Sequence, residues 1–286
     1  MNNSLLPVLV EGFVTALKEQ NKSVFTVVAY KKDLEQFAGY LTSREKNDIR
    51  EIKKEDIEGF VNGMLQKNYT KKSASRKLNS IRTFFRYLKN TGSIERNPSL
   101  EVSHPKYDQV APRIFTKLEY RALRDCAKED PRTYALVEIL LQTGIKIGEL
   151  ANIKLEDIKK DTLYVRPYGK NSGREVPLNK AVTKAVGEYL KTRNKSNGSF
   201  LFTTRTGRPL IIRNIRQIIA RCFNEVGVEK ATVNDLRNTF IAYQIVNGAS
   251  IEYIAKIVGH KRLSSTERYL SLVRAETERK EKLGEL

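Results

Sequence analysis

Along most of this chain apolar residues recur every three to four positions, the spacing of amphipathic helices. Between 23 and 41 the stripe is Val24, Val27, Val28, Leu34, Phe37 and Leu41, with Lys31, Lys32 and Asp33 between its members. KKEDIEGFVNGMLQK predicts a helix over 54–67, and Leu78, Ile81, Phe84, Phe85 and Leu88 predict one over 72–90. The texture then breaks. TGSIERNPSLEVSHPKYDQVAPR, 91–113, holds three prolines and no sustained period, which marks a linker. His104, beside Pro105 in that stretch, is expected to be solvent-exposed and inert.

Periodicity returns beyond it. A helix near 116–129 opens with Thr116 and Glu119 at capping-box spacing. An apolar helix over 132–142 leads into the turn TGIKIGEL (143–150), which opens a short helix. In DTLYVRPYGKNSGREVPL (161–178), TLYV and REVPL flank a turn rich in Gly, Asn and Ser, so a β-hairpin is expected. Helices follow at 179–193, 212–226, 235–247 and 250–258, with a last one after Tyr269. The expected fold is mainly α with a small β-sheet. A bundle of about four helices occupies 1–92, a linker 93–111, and a second, mostly helical domain 112–286.

Composition narrows the class. At 40% hydrophobic residues over 286 positions the chain reads as globular, and no apolar run approaches the roughly 18 residues of a membrane span. No secretory signal is visible, so a cytoplasmic, nucleoid-associated protein is expected. Cys126 and Cys222 lie within separate helical patterns and read as reduced core thiols.

Charge says more. The formal balance is +19, with 19 basic and 13 acidic residues before Val110, so +6 falls there and +13 beyond it. Both halves are basic, as suits a protein touching phosphates through two domains. On the 72–90 helix, Arg76, Lys77, Arg82, Arg86 and Lys89 lie off the apolar stripe and read as a phosphate-facing surface.

Four segments of the second half carry polar residues the fold does not need. Lys146 sits in the Thr-Gly turn, Lys170 at the hairpin tip, and Arg237 in NDLRNT on the first turn of a helix. GHKRLSSTERY (259–269) contributes His260 and Tyr269. Phosphodiester cleavage needs fixed cations around the extra charge of a pentavalent phosphorane, an acid for the leaving alkoxide, and a hydroxyl nucleophile. Arg237, Lys146 and His260 can supply the donors, Lys170 the acid and Tyr269 the hydroxyl. No Asp/Glu/His cluster suited to a metal is visible, and neither a metal nor another cofactor is called for.

TGIKIGEL, YGKNSGREVPL, NDLRNTF and IAKIVGHKRLSSTERYL, in that order, resemble the tyrosine recombinase (phage integrase, Xer-like) family. SVFTVVAYKKDLEQFAGYL is similar to that family's helical, SAM-like core-binding domain, so the resemblance spans nearly the whole chain. It implies that Tyr269 forms a 3′-phosphotyrosyl link and releases a 5′-hydroxyl. His260 would donate to the phosphate or assist the nucleophile, Arg237 would grip the non-bridging oxygens, and Lys170 would protonate the leaving oxygen. Lys146 stands where the family usually has its first arginine and loses the two-pronged fork. Asn234 stands where a histidine is common and cannot shuttle protons.

The resemblance further implies a C-shaped clamp on double-stranded DNA bearing a specific site, and a tetramer on two such sites. A second recombinase or an accessory DNA-bending protein could take part, and the C-terminal tail (271–286) could pack in cis or on a neighbour. Transposon or plasmid co-integrate resolution is among the duties it suggests. A catalytically impaired DNA-binding relative and a type IB topoisomerase are the alternatives. The first would bind DNA without a covalent adduct, and the second would relax supercoils without giving recombinants.

Overall fold

A computed structural model describes residues 5–108, 110–169, 171–194, 198–204 and 206–272. It divides into two compact units, Met1–Gln109 and Val110–Leu286.

The first unit is a helical bundle of α1 (Leu6–Glu19), α2 (Val24–Thr42), α3 (Lys54–Gln66) and α4 (Lys71–Asn90). Its boundaries follow from capping chemistry. The Ser23 and Thr70 hydroxyls accept from the backbone of Thr26 and Ser73, each at 3.1 Å, and satisfy N–H groups that the first turn leaves without partners. Leu34, Phe37, Leu41, Leu78, Ile81, Phe84, Phe85 and Leu88 are all buried in the core. Val24 and Val28 are not, at 75% and 58% exposed. At about 100° per residue Val28 lies opposite Phe37 on α2, so the buried stripe is narrower than the apolar pattern suggested.

Two expectations for this half are corrected. His104 is half-buried, its Nδ1 2.9 Å from the Ser75 hydroxyl and its Nε2 2.8 Å from Arg82. The surrounding segment packs too: Ile94, Ser99 and Val102 are buried. Arg82 donates to the carbonyls of Ser99 and Val102, which leaves little of its guanidinium for a phosphate. Nor do all five basic residues of α4 form a phosphate-facing surface, since two of them are paired with a carboxylate. Asp33 of α2, 2% exposed, accepts from Arg76, from Lys77 at 2.7 Å and from Ser80 at 2.8 Å. Lys77 is itself buried and also donates to Gln36. Sequence patterning missed Asp33 because the partner comes from another helix. Arg86 and Lys89 do face outward.

The second unit comprises α5 (Lys117–Ala127), α6 (Pro131–Thr143), α7 (Ile147–Leu150), β1 (Thr162–Val165), β2 (Arg174–Pro177), α8 (Lys180–Thr192), α9 (Ile212–Glu225), α10 (Val233–Val246), α11 (Ile251–Val258) and α12 (Ser264–Glu267). The capping box of α5 is formed, with the Thr116 hydroxyl accepting from Glu119 N–H at 3.2 Å and Glu119 accepting from Thr116 N–H at 2.7 Å. The strands β1 and β2 are antiparallel, pairing Leu163 with Val176 and Val165 with Arg174. Leu163, Val165 and Val176 enter the core, and the register sets Arg174 on their inward face.

Helix α10 begins two residues before expectation, because Asp235 accepts from the Thr232 N–H at 2.8 Å and caps there. Arg237 therefore lies in its second turn, not its first. Gly144 ends α6 at φ +61°, and a Cβ there would stand 2.4 Å from the Phe240 ring, so only glycine fits. Of the helix expected after Tyr269, residues 273–286 lie outside the described residues, as does most of the C-terminal tail.

Cys222 is buried in the core, as the sequence suggested, but Cys126 differs. Cys126 is only half-buried and its thiol donates to Glu225 at 2.9 Å. Burial, then that carboxylate, pushes Cys126 up to about 12.

Candidate active site

The site is assembled at helix ends. Arg237, 6% exposed, donates through Nη2 to the carbonyl of Val258 at 2.8 Å and through Nη1 to that of Gly144. These carbonyls belong to the C-terminal ends of α11 and α6, where partial negative charge favours a cation. Burial, together with the nearby Arg174, lowers Arg237 to about 10, which still leaves it charged at neutral pH.

Lys146 precedes α7, its backbone N–H donating to Glu149 at 2.9 Å. Its half-buried ammonium is pushed down by burial first, then by Arg237, with Arg174 and Lys261 adding to the effect and Glu149 opposing it. Glu149 cannot neutralise this cluster. Its ion pair is with Arg174, whose two terminal nitrogens hold its oxygens at 3.0 and 2.8 Å, with Asn171 Nδ2 at 3.2 Å. Against the cost of burial, the Arg174 guanidinium and the Lys146 N–H hold the Glu149 carboxyl below its usual range. Arg174 also donates to the Ile257 carbonyl at 2.6 Å, tying the hairpin to α11.

His260 follows Gly259, which ends α11 at φ +71°. The imidazole Nδ1 is 2.7 Å from the Thr266 hydroxyl. Burial, then the charges of Arg237, Lys146, Arg268 and Arg174, pushes His260 down to about 4. It is neutral at physiological pH.

Tyr269 is 2% exposed. Its hydroxyl donates to Asn238 Oδ1 at 2.7 Å and accepts from Arg268 at 3.2 Å, while the Arg268 guanidinium stands 5.1 Å from its ring centroid. Asn238 follows Arg237 on α10 and is fixed by its own bond to Asp235 at 3.1 Å. Asn234 donates weakly to the same Asn238 oxygen at 3.4 Å. Thus Lys146, Asn234, Arg237, His260 and Tyr269 share one region, with cations in excess. A cavity of 500 Å³ lined by Lys146, Arg216, Asn234 and Arg237 opens beside it. Lys170 lies outside the described residues; its neighbours Tyr168 and Asn171 close the hairpin tip with backbone bonds of 3.1 and 3.2 Å.

Sequence reasoning overlooked Arg174, Arg216, Asn238 and Arg268. Arg174 had a legible signal, because strand alternation aims it inward with Val176. Asn238 had none, since its importance comes from a partner thirty-one positions away.

The phage integrase family matches residues 108–276, and the phage integrase N-terminal SAM-like domain matches residues 10–92. Tyrosine recombinase XerC of Oceanobacillus iheyensis is 31% identical over 92% of this chain and 91% of its own. Tyrosine recombinase XerD of Listeria monocytogenes is 28% identical over 91% of this chain and 93% of its own. Lambda integrase has the same fold. As a dimer bound to a COC′ core site it gives a TM-score of 0.76 at 18% identity, covering 91% of this chain and 97% of that one. As a tetramer bound to a Holliday junction it gives 0.75 at 19%, covering 90% and 78%.

Proposed function

The chain belongs to the phage integrase family of tyrosine recombinases, and from that premise we propose that it cuts and rejoins double-stranded DNA at a specific site through Tyr269. The observation that carries this assignment of the nucleophile is the bond from the Tyr269 hydroxyl to Asn238, next to Arg237 on the same helix. A buried phenol held there lies within a cluster of cations that its own carboxylate, Glu149, does not neutralise.

In the cleavage step the phenolic oxygen bonds to phosphorus and the bond from phosphorus to the 5′-oxygen breaks. A 3′-phosphotyrosyl link remains, and the 5′-oxygen leaves with a proton from Lys170. Arg237 and Lys146 face the non-bridging oxygens, where fixed cations stabilise the extra charge of the transition state. Neutral His260 offers one ring nitrogen as donor to phosphate or as acceptor for the phenolic proton. Arg174 acts through Glu149, holding the turn that presents Lys146. Rejoining reverses these events with a 5′-hydroxyl from the partner duplex, so the phosphodiester energy is conserved.

Residues 1–92 serve as the core-binding domain and 112–286 as the catalytic domain, each with its own basic surface. Self-association on DNA, up to a tetramer joining two sites, follows the assembly of lambda integrase on a Holliday junction.

A suicide substrate nicked beside the cleavage position tests the proposal. Protein should become covalently attached to DNA, and Tyr269→Phe should abolish the adduct. Retention of the adduct in that variant would place the nucleophile elsewhere.

A further inference from the structure

Outside this site, two helices distant in sequence bring three soft and hard donors together. Cys126 is near the end of α5, and Cys222 and Glu225 lie three residues apart on one face of α9. One ligand atom from each falls within 4.8 Å of the other two. We propose that Cys126, Cys222 and Glu225 bind a thiophilic divalent cation of the zinc type, clamping α5 to α9.

The geometry suits such an ion. Zinc takes sulfur at about 2.3 Å and carboxylate oxygen at about 2.0–2.2 Å, so its tetrahedral ligands sit roughly 3.5–3.8 Å apart. The Cys126 sulfur and the Glu225 oxygen, 2.9 Å apart, must open by about 0.7 Å while the wider pairs close by up to about 1 Å, shifts within the reach of side-chain rotations. Cys222 is buried, Cys126 half-buried and Glu225 exposed, which leaves an open side for entry and for a water as fourth ligand. On binding, each thiol gives its proton to solvent, two sulfur–metal bonds and one oxygen–metal bond form, and nothing is oxidised.

A disulfide uses the same two sulfurs but gives the carboxylate no part. Moreover, the Cys126 thiol already meets Glu225 at 2.9 Å, and a dication would take the place of the thiol proton between the two groups. The consequence reaches the active site through α9, whose Arg216, Ala220 and Phe223 line the cavity shared with Lys146 and Arg237. A clamped α9 stiffens that wall.

The test is a Co²⁺ titration of the reduced full-length protein, read by visible absorption, followed by displacement with Zn²⁺. One equivalent should give the bands of tetrahedral cobalt with thiolate ligands, release about two protons and yield to Zn²⁺, with Zn²⁺ raising the thermal midpoint. Glu225→Gln, at an exposed position, should weaken binding by about tenfold or more. Cys222→Ser should abolish it, with Cys126→Ser as the second variant if the buried substitution unfolds. Absence of the bands overturns the proposal, as does binding that Glu225→Gln leaves unchanged. Formation of a Cys126–Cys222 disulfide by mild oxidant, in protein that ignores Co²⁺, also overturns it. None of these outcomes bears on the covalent DNA adduct, which reports on Tyr269 alone.

Discussion

His260 shows how far a single side chain departs from its ordinary chemistry here. The unfolded chain binds its proton below 6.5 and the folded one only below about 4. Across that window the unfolded state takes up more protons, so stability falls as pH drops from 6.5 towards 4. A urea midpoint followed over this range should decline, and decline less in His260→Gln. The role proposed for Lys146 rests on its positive charge beside Arg237. Lys146→Arg should preserve or raise the rate of covalent adduct formation on the nicked substrate. Lys146→Ala should lower it on the order of 10²-fold, the cost of losing one preorganised donor. A large loss in the arginine variant would show that the ammonium has a different task. Asn238 holds the Tyr269 hydroxyl from helix α10, so Asn238→Ala leaves a buried hydroxyl with one fewer partner and should cost about 1–2 kcal/mol of stability by denaturation.

Among the elements, the helix ends carry the site. Gly144 and Gly259 both turn the backbone into the left-handed region, and Arg237 spans the carbonyls beside them. Gly144→Ala meets the Phe240 ring and a strained φ together, so a thermal midpoint lowered by the equivalent of roughly 1–3 kcal/mol is expected. These turns were legible, because Thr-Gly and Gly-His interrupt strong apolar periods. What they support was not: the carbonyls of α6 and α11 meet one guanidinium only after both helices pack on α10. The same limit explains α4. Its basic residues read as one face, yet Asp33 captures Arg76 and Lys77 while backbone carbonyls and His104 capture Arg82. Lys77→Ala should therefore destabilise the first unit, whereas Arg86→Ala and Lys89→Ala should each weaken DNA binding uniformly and reduce its salt slope by about one. Equal effects from all three would contradict this division.

At the scale of the whole molecule, positive charge sits in both halves, and phosphate neutralisation dominates affinity for DNA. Binding should fall on the order of 10³-fold between about 50 and 200 mM salt, measured by titration of a labelled duplex. The order of helices and the hairpin could be read from the chain because apolar spacing, capping residues and glycine turns act over a few positions. So could the four polar segments, whose residue types stand out against that periodicity. Tertiary structure alone decided which cations remain free, since a lysine's availability depends on whether a carboxylate arrives from another helix. It also decided that Tyr269 is buried against Asn238, that Arg174 is paired with Glu149, and that two remote cysteines and a carboxylate come within 4.8 Å of one another. Long-range pairing leaves no periodic trace in sequence, because the partners meet only after the helices have closed around the core.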